Sequence, residues 1–312
     1  MLFVKDKVKI ALWPDNCSMA LSFSFDDVEP SHYQNIAPLL EQFGVRGTFF
    51  INAGLLESES VTGYKHVLAQ GHELGNHTYE HVKLKDCSPE MVQFQVRRGH
   101  DAIFEIFGVE ATAFCHTHNR TNRLIDQYVF DSYDISRIVA KIKTNRFYND
   151  IRSYTPIQLM DETFKKVLKK GGWWHVAGHG MCGSGWEPVS KEFLSEVLLR
   201  YLQPYVHVGT VSSVGVYELL RSSVKMDWVW SEQEVRFSFE WIKKFDVFEK
   251  VEVLPLTILV EAPKKGIWHT LDPLISLSFQ PHDGLYLMTV DLKKQMSYQF
   301  QVDFPWKQKT KG

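Results

Sequence analysis

The pattern of apolar and polar positions in the first two-thirds of the chain switches repeatedly between strand and helix periodicity. Residues 19–25 (MALSFSF) alternate apolar and polar side chains, which is typical of a strand. Residues 36–43 place apolar side chains on one helical face, and Gly44 follows as a stop signal. The same succession recurs, and it predicts strands at 19–25, 47–51, 73–76, 111–114, 135–139, 173–177 and 207–211.

Strands that alternate with helices favour a parallel sheet, because each helix returns the chain to the same edge of the sheet. About seven such units in series predict an α/β fold in which the sheet forms a β/α barrel, closed or nearly closed. An open doubly wound sheet has the same periodicity and is the alternative.

The pattern changes near residue 223, where helical periodicity disappears. Strand-like runs follow at 235–241, 251–260, 275–279 and 298–304. Pro255 predicts that its strand lies at a sheet edge, because proline cannot donate a hydrogen bond to a neighbouring strand. The sequence therefore predicts a barrel over residues 1–223 and a small all-β, sandwich-like domain over residues 224–312.

Composition excludes several classes of partner. Hydrophobic residues make up 44% of the 312 positions and charged residues 23%, which is ordinary for a globular protein with a large core. The net charge of -2 predicts no general attraction to nucleic acid or to an anionic membrane. No apolar run approaches the length of a membrane span, and residues 1–16 lack the apolar segment of a signal peptide. Four scattered cysteines favour free thiols in a reducing compartment, although two disulfides also fit, so we expect a cytoplasmic protein.

Asp26 and Asp27 are adjacent carboxylates that directly follow the first predicted strand. Neighbouring strand residues point to opposite faces, but both side chains can face one site where the chain turns at a strand end. One carboxylate could then ligate a metal ion while the other accepts a proton. By itself, the pair is more typical of a cap or a turn.

Residues 77–81 (HTYEH) are a stronger indication of metal binding. Two histidines four residues apart, across one helical turn, can share a metal ion, and imidazole suits zinc, nickel, cobalt or iron. The segment follows the third predicted strand, so we expect it at the same barrel face as Asp26 and Asp27. A carboxylate and two histidines with an open position match the ligand pattern of catalytic zinc. We therefore expect one divalent metal ion, with zinc as the first candidate.

The same segment also fits H-x-x-E-H, a metalloprotease signature in which Glu80 would be the general base. That function requires both histidines within a long helix. Gly71 and Gly75 are poor helix residues, and the signature leaves Asp26 and Asp27 without a role. A metalloprotease is therefore the alternative hypothesis.

Further candidate residues follow later predicted strands. One strand leads to His179, which could protonate a leaving group, whereas His175 is expected to face the barrel wall or interior. The glycine-rich loop after His179 contains Trp186, which either covers a sugar face or packs. His116 and His118 follow the fourth predicted strand, and we expect them in the wall of a binding pocket.

Residues 24–27 (SFDD), residues 77–81 and a strand leading to His179 together resemble the polysaccharide deacetylase family, carbohydrate esterase family 4, with its NodB-homology domain. The resemblance extends over about residues 15–222 and implies a distorted (β/α)7 barrel; the rest resembles a divergent subgroup with a C-terminal β domain. It also implies a metal-dependent hydrolase that removes N- or O-linked acetyl groups from an acetylated carbohydrate. The residue roles that it implies are Asp26 as general base, His179 as general acid, and Asp27, His77 and His81 as metal ligands.

Two features depart from the family pattern. Cys115 occupies the position of the family's third-motif arginine, which steadies the catalytic aspartate, and Arg137 on the next strand is the candidate replacement. The family's fourth-motif aspartate, which orients the acid histidine, is not recognisable, and Asp150 and Asp161 are the candidates. These departures make a catalytically impaired carbohydrate-binding homologue a further alternative. The residues expected on the substrate side of the site are His116, His118, Trp186 and Arg137.

Overall fold

The computed structural model describes residues 8–230, 234–250, 255–261, 267–270, 276–280, 285–292 and 297–303. These residues divide into two compact units. The first unit runs from Ser18 to Val216 and also includes residues 246–250. The second unit contains the described residues before Ser18, those from Tyr217 to Phe245, and those from residue 255 onward.

The first unit is built around a parallel β-sheet. After β1 (Val8–Ile10), which belongs to the second unit, its strands are β2 (Met19–Asp26), β3 (Thr48–Ile51), β4 (Glu73–Asn76), β5 (Ala113–Phe114), β6 (Ile135–Ser136), β7 (Arg146–Asp150), β8 (Trp173–Gly178) and β9 (Val206–Val208). The hydrogen-bonded order is β6-β5-β4-β3-β2-β8-β7, and β9 pairs with the first half of β2. This order follows the chain around a ring, interrupted between β6 and β7, where the described strands form no ladder. The sheet is therefore a distorted barrel, as predicted, and not a doubly wound sheet.

All seven predicted strands are present, and the structure adds β7. The segment of β7 (RFYND) contains only two aromatic side chains among polar ones, so it shows no strand periodicity. It runs parallel to β8, with Phe147 opposite Trp174 and Asp150 opposite Ala177. The extra strand therefore brings a carboxylate to the edge of the barrel where β8 ends.

Helices follow most strands of the first unit. They are α1 (Ala37–Gln42), α2 (Ser58–Ala69), α3 (Pro89–Phe107), α4 (Arg123–Ser132), α5 (Ile157–Lys170), α6 (Lys191–Tyr201), α7 (Val211–Ser223), which continues into the second unit, and α8 (Val247–Lys250). Ser88 and Ser190 cap α3 and α6, each accepting a backbone N–H of its helix. α5 begins directly after a proline, four residues before Asp161. Asp161 lies inside the helix and accepts a hydrogen bond from the Tyr201 hydroxyl at 2.8 Å.

The core of the first unit contains every residue of β2 and β8. Burial of each large apolar side chain, such as Phe23 or Trp174, stabilises the fold by roughly 1.5–3 kcal/mol. The two strands are parallel, with Phe25 opposite Gly178. Their next residues, Asp26 and His179, therefore emerge side by side at the carboxyl ends of the strands.

The second unit is antiparallel β-structure. Its strands after α7 are β10 (Val224–Trp230), β11 (Glu234–Trp241), β12 (Leu256–Glu261), β13 (Ile267–Thr270), β14 (Ser276–Gln280), β15 (Leu285–Val290) and β16 (Ser297–Asp303). They form one sheet of order β1-β12-β15-β14 and a second of order β10-β11-β16-β13. The predicted all-β part is confirmed, while the face-to-face packing of a sandwich stays a prediction.

The limits of the two units differ from the predicted domains in three places, the first of which is the end of α7, where residues 217–223 belong to the second unit. β1 pairs with β12, so the N-terminal strand extends a sheet of the second unit, whereas the sequence predicts residues 1–223 as barrel. β12 is then paired on both sides, so the edge strand predicted from Pro255 is wrong; Pro255 precedes the strand. α8 belongs to the first unit, where the Val247 N–H donates to the Asp134 carboxylate at 2.7 Å.

Two further expectations from the sequence concern free thiols and membrane spans. All four cysteines lie within the described residues and form no disulfide with one another there, as the sequence predicts. Cys115 is buried and Cys182 is exposed. No helix in the described ranges is long and apolar enough to cross a membrane.

Candidate metal and catalytic site

Polar side chains from several strand ends line one open cavity of about 650 Å³. The parallel strands bring them together, because the carboxyl ends of all barrel strands meet at one edge. β2 ends at Asp26, β4 leads directly to His77, and β8 leads directly to His179. The predicted site residues that line the cavity are Asp26, Asp27, His77, His81, His118, His179 and Trp186.

Asp27, His77 and His81 converge on one point of this cavity. Each offers one ligand atom, and these atoms lie within 4.8 Å of one another. Asp27 Oδ1 is 3.2 Å from His81 Nε2 and 3.8 Å from His77 Nε2. Two imidazole nitrogens and a carboxylate oxygen are donors that suit zinc and the neighbouring transition metals. The structure thus brings together the three residues that the sequence indicated as metal ligands.

The protonation of His77 fits a ligand role. Its Nδ1 lies 2.9 Å from the Cys115 carbonyl oxygen and donates to it, because a carbonyl can only accept. Burial lowers the pKa of His77 to about 4, so the ring is neutral at pH 7. The lone pair of Nε2 is then available on the side of the ring that faces Asp27.

The environment of Asp27 suits a carboxylate that ligates a cation. Its Oδ1 is buried and accepts no hydrogen bond from the described residues, although His81 Nε2 is near. Burial and the neighbouring charge of Asp26 raise the pKa of Asp27 to about 6. A divalent cation would stabilise the ionised form, so the donor set fits a metal ion. The backbone is left-handed at Asp27 (φ 77°) and His81 (φ 56°), a conformation that costs about 1–3 kcal/mol and clusters at functional sites.

Residues 77–83 form a loop, and the predicted helical turn between the two histidines is wrong. Thr78 adopts φ 69°, and its hydroxyl oxygen accepts the His81 N–H at 3.1 Å, which closes the loop locally. Glu80 accepts a hydrogen bond from Gln95 Nε2 at 2.7 Å, and its own N–H donates to Gln95 Oε1 at 2.8 Å. Glu80 is absent from the cavity lining that the structure describes. The metalloprotease hypothesis needs Glu80 at the metal and a long helix, and the geometry supports neither.

Asp26 is paired with a buried arginine. Nη1 and Nη2 of Arg137 each donate to one Asp26 oxygen at 2.6 Å. The same guanidinium also donates to Ser24 Oγ at 3.1 Å and to Asn119 Oδ1 at 3.2 Å. Burial favours a higher pKa for Asp26, but the charge of Arg137 outweighs it and holds the pKa well below its usual range. Asp26 is therefore ionised at neutral pH.

Arg137 reaches Asp26 because its strand neighbours the strand before Cys115. The Arg137 N–H donates to the Phe114 carbonyl at 3.0 Å, and Cys115 Sγ also lies 3.8 Å from Asp26 Oδ2. Burial raises the pKa of the Cys115 thiol well above its usual range, so the cysteine provides no charge for Asp26. The Arg137 side chain is 0% exposed, so the expectation that it lies on the substrate side is wrong. Arg137 binds both oxygens of Asp26 but does not itself line the cavity.

His179 lines the cavity next to a carboxylate from the unpredicted strand β7. Its Nδ1 lies 3.9 Å from Asp150 Oδ1, and neither atom has a hydrogen-bond partner within the described residues. Asp150 in turn accepts hydrogen bonds from Arg152 at 2.8 and 3.2 Å. Of the two aspartates considered from the sequence, Asp150 is therefore the neighbour of His179, and Asp161 is not.

Arg152 also contacts Trp186, and no pattern in the sequence indicates this contact. Its guanidinium lies 4.3 Å from the centre of the Trp186 ring and pairs with Glu187 at 2.6 Å. Trp186 meets the His179 ring edge-on at 4.8 Å and is 51% exposed. The cation–π contact thus holds a partly exposed aromatic side chain beside His179.

A buried hydrogen-bond chain joins the loop after β2 to the loop after β8. His32 Nε2 lies 2.9 Å from the His179 carbonyl oxygen, and His32 Nδ1 lies 2.9 Å from the Tyr64 hydroxyl. Since the carbonyl only accepts, Nε2 donates and Nδ1 accepts from Tyr64. Tyr64 also accepts the Glu29 N–H at 3.2 Å. Burial lowers the pKa of His32 to about 4, which keeps this chain neutral.

The remaining predicted histidines have different positions. His118 lines the cavity, with its ring centre 4.9 Å from that of His81. His116 is fully buried, with Nε2 3.4 Å from Asp126 Oδ1, so its expected place in the pocket wall is wrong. It follows β5 but points into the protein rather than toward the cavity. His175 is buried within β8, as expected.

Comparison with known proteins agrees with the fold. Residues 15–131 match the family model of polysaccharide deacetylases. A chitin deacetylase of Arthroderma benhamiae is 28% identical over 49% of this chain and 41% of that relative. A peptidoglycan-N-acetylglucosamine deacetylase of Bacillus cereus is 31% identical over 27% of this chain and 39% of that relative. The chain thus spans less than half the length of these two relatives.

A solved structure shows the same fold. It is that of a Mycobacterium smegmatis protein assigned to the polysaccharide deacetylases, with a TM-score of 0.53 and 17% identity. The match covers 67% of this chain and 93% of the other. At this identity the likeness establishes the barrel architecture only.

Proposed function

We propose that this chain belongs to the polysaccharide deacetylase family, whose model matches residues 15–131, and that it is a metal-dependent hydrolase that removes N- or O-linked acetyl groups from a carbohydrate. One observation supports this most strongly. The ligand atoms of Asp27, His77 and His81 converge in an open cavity beside Asp26, whose charge is fixed by Arg137. A carboxylate that is ionised and a histidine at the same cavity provide a base and an acid for hydrolysis.

A divalent metal ion held by Asp27, His77 and His81 would supply Lewis acidity to the acetyl carbonyl. Asp26 accepts the proton of the attacking water, because Arg137 keeps this carboxylate ionised and fixes both of its oxygens. His179 protonates the departing amine or alkoxide, because its ring lines the cavity beside Trp186.

Asp150 acts on His179 as a positioning residue in this mechanism. Its Oδ1 is buried, has no hydrogen-bond partner within the described residues, and lies 3.9 Å from His179 Nδ1. A small movement of the ring would complete a hydrogen bond that orients the imidazole. The Arg152 guanidinium holds Asp150 in place for this purpose.

The two alternatives can be weighed against the same contacts. The metalloprotease needs Glu80 as its base, and Glu80 is bound to Gln95 instead. The impaired carbohydrate-binding homologue was suggested by Cys115 in place of the family arginine, and Arg137 provides a guanidinium at that carboxylate from the next strand. Both observations favour the active hydrolase.

The experiment that tests the function measures acetate release from N-acetylated chitooligosaccharides and O-acetylated xylan. Protein treated with a chelator is compared with protein reloaded with zinc, nickel, cobalt or iron. We expect acetate release to disappear on chelation and to return on reloading, because the proposed metal ion is the Lewis acid that polarises the acetyl carbonyl. Casein should stay intact under all of these conditions.

Glu80→Gln is the matched control, because glutamine keeps the size of the side chain and can still contact Gln95. Acetate release by this variant should stay within about two-fold of wild type, as for a residue outside the reacting groups. Cleavage of casein that Glu80→Gln abolishes would establish the protease instead. Bound metal with no acetate release from either substrate would favour the impaired homologue.

A further inference from the structure

Three exposed cations lie together on one wall of the cavity. Lys83 and Lys85 belong to the loop that follows the metal-binding segment, and Arg120 follows the short helix after β5. All three side chains are exposed and line the cavity. In the ranges that the structure describes, no ion pair joins any of them to a carboxylate.

The two loops that bear these cations are fixed to each other. The Thr117 hydroxyl donates to the Val82 carbonyl at 2.6 Å, which joins the loop after β5 to the loop after β4. Leu84, between the two lysines, is only 2% exposed and packs in the core. The backbone beneath the cations is therefore anchored, so the charges stay at the cavity wall.

The carboxylates deeper in the cavity are paired with other cations, and Asp150 shares Arg152 with Glu187. Asp26 binds Arg137 at 2.6 Å, and Asp150 binds Arg152 at 2.8 Å. Asp27 would be compensated by the metal ion of the proposed function. Asp26, Asp27 and Asp150 are therefore not available to neutralise Lys83, Lys85 and Arg120.

The outer wall therefore has an excess of positive charge, although the whole chain has a net charge of -2. Among the exposed residues that line the cavity, the only acid is Asp86, whereas Lys83, Lys85 and Arg120 are basic. A cavity lined by one sign of charge concentrates ligands of the opposite sign. We propose that the substrate is an acetylated carbohydrate with an anionic group, carboxylate or phosphate, bound by Lys83, Lys85 and Arg120.

This inference rests on the proposed function and narrows its substrate class. Arg120 can bind either anion through two parallel hydrogen bonds, and the lysines add point charges. Exposed ion pairs are individually weak and are screened by salt, so the preference should depend on all three cations and on ionic strength. A neutral sugar has no charge for these three cations to attract, so its affinity should not depend on them.

The test uses three probes that differ only at carbon 6 of one sugar. They are N-acetylglucosamine, its uronic acid and its 6-phosphate, which present a hydroxyl, a carboxylate and a phosphate. Binding to the metal-loaded protein is measured by calorimetry at low and high salt. We expect at least one anionic probe to bind about ten-fold or more tightly than the neutral one at low salt, and the preference to shrink at high salt.

The triple variant Lys83→Gln/Lys85→Gln/Arg120→Gln decides the origin of this preference, because either anion could also ligate the metal ion directly. The variant should lose the preference and still bind the neutral probe within about two-fold of wild type. The matched control is Lys165→Gln/Lys169→Gln/Lys170→Gln on α5, which removes the same charge from exposed positions outside the cavity lining. It should keep the preference.

Equal binding of all three probes, or a preference that survives in the cavity variant, would overturn the inference. Whichever anion is preferred identifies the carboxylate or the phosphate as the recognised group. Acetate release is measured on the same samples from the three probes and from neutral chitooligosaccharides. Release without any anion preference removes this inference and leaves the deacetylase standing, whereas a preference without release from any substrate counts against the deacetylase.

Discussion

Replacing Asp26 with asparagine is expected to lower acetate release by about 10²- to 10⁴-fold while the bound metal stays at the wild-type level. Asparagine keeps the shape of the side chain but cannot accept a proton from water. The three metal ligands remain unchanged in this variant. The measurement is kcat for acetate release together with metal content, on protein whose fold is checked by circular dichroism.

Asp26→Asn also leaves Arg137 as a buried and uncompensated charge, so a second variant is needed to separate the loss of the base from a loss of stability. The double variant Asp26→Asn/Arg137→Met removes both charges and should recover stability without recovering acetate release. Wild-type turnover in either protein would exclude Asp26 as the base. Turnover that returns together with stability would mean that Asp26 has only a structural role.

Replacing Arg137 with methionine is expected to lower the free energy of unfolding by about 3–5 kcal/mol at neutral pH. The Asp26 carboxylate is buried and receives both of its short hydrogen bonds from this guanidinium. Methionine has a similar length but no charge, so Asp26 would remain buried without a partner. Urea unfolding followed by fluorescence gives the change in stability.

A double-mutant cycle is the control for this prediction. In the Asp26→Asn background, Arg137→Met should cost much less than in wild type, or even stabilise the protein. The difference between the two costs measures the coupling of the pair. Equal costs in both backgrounds would contradict the ion pair as the cause.

The barrel and most of its site could be predicted from the sequence because their signals are local. The sequence predicts each barrel strand with clear alternation, such as the one that ends at Asp26, but it does not predict β7, because RFYND has no alternation. Asp27 and His77 directly follow strand ends, and His81 lies four residues after His77, so a short motif is enough to indicate the ligands. The conformation of that motif was not predictable, since the left-handed residues Thr78 and His81 form a loop that spacing alone does not distinguish from a helical turn.

Features that depend on neighbouring strands were harder to predict. Arg137 reaches Asp26 only because β6 lies beside β5, and its burial could not be read from its own surroundings in the chain. His116 and His118 are two residues apart, yet one is buried and the other lines the cavity, because His118 (φ 55°) is left-handed. The pairing of β1 with β12 likewise joins segments far apart in sequence.

The most direct test of the site is the metal content of wild type and of His77→Ala by elemental analysis, with acetate release measured on the same samples. Glu80→Gln is the control in the same loop. We predict about one metal ion per chain in wild type and in the control, and loss of both metal and acetate release in His77→Ala. Metal content that His77→Ala leaves unchanged would contradict the metal centre proposed at Asp27, His77 and His81.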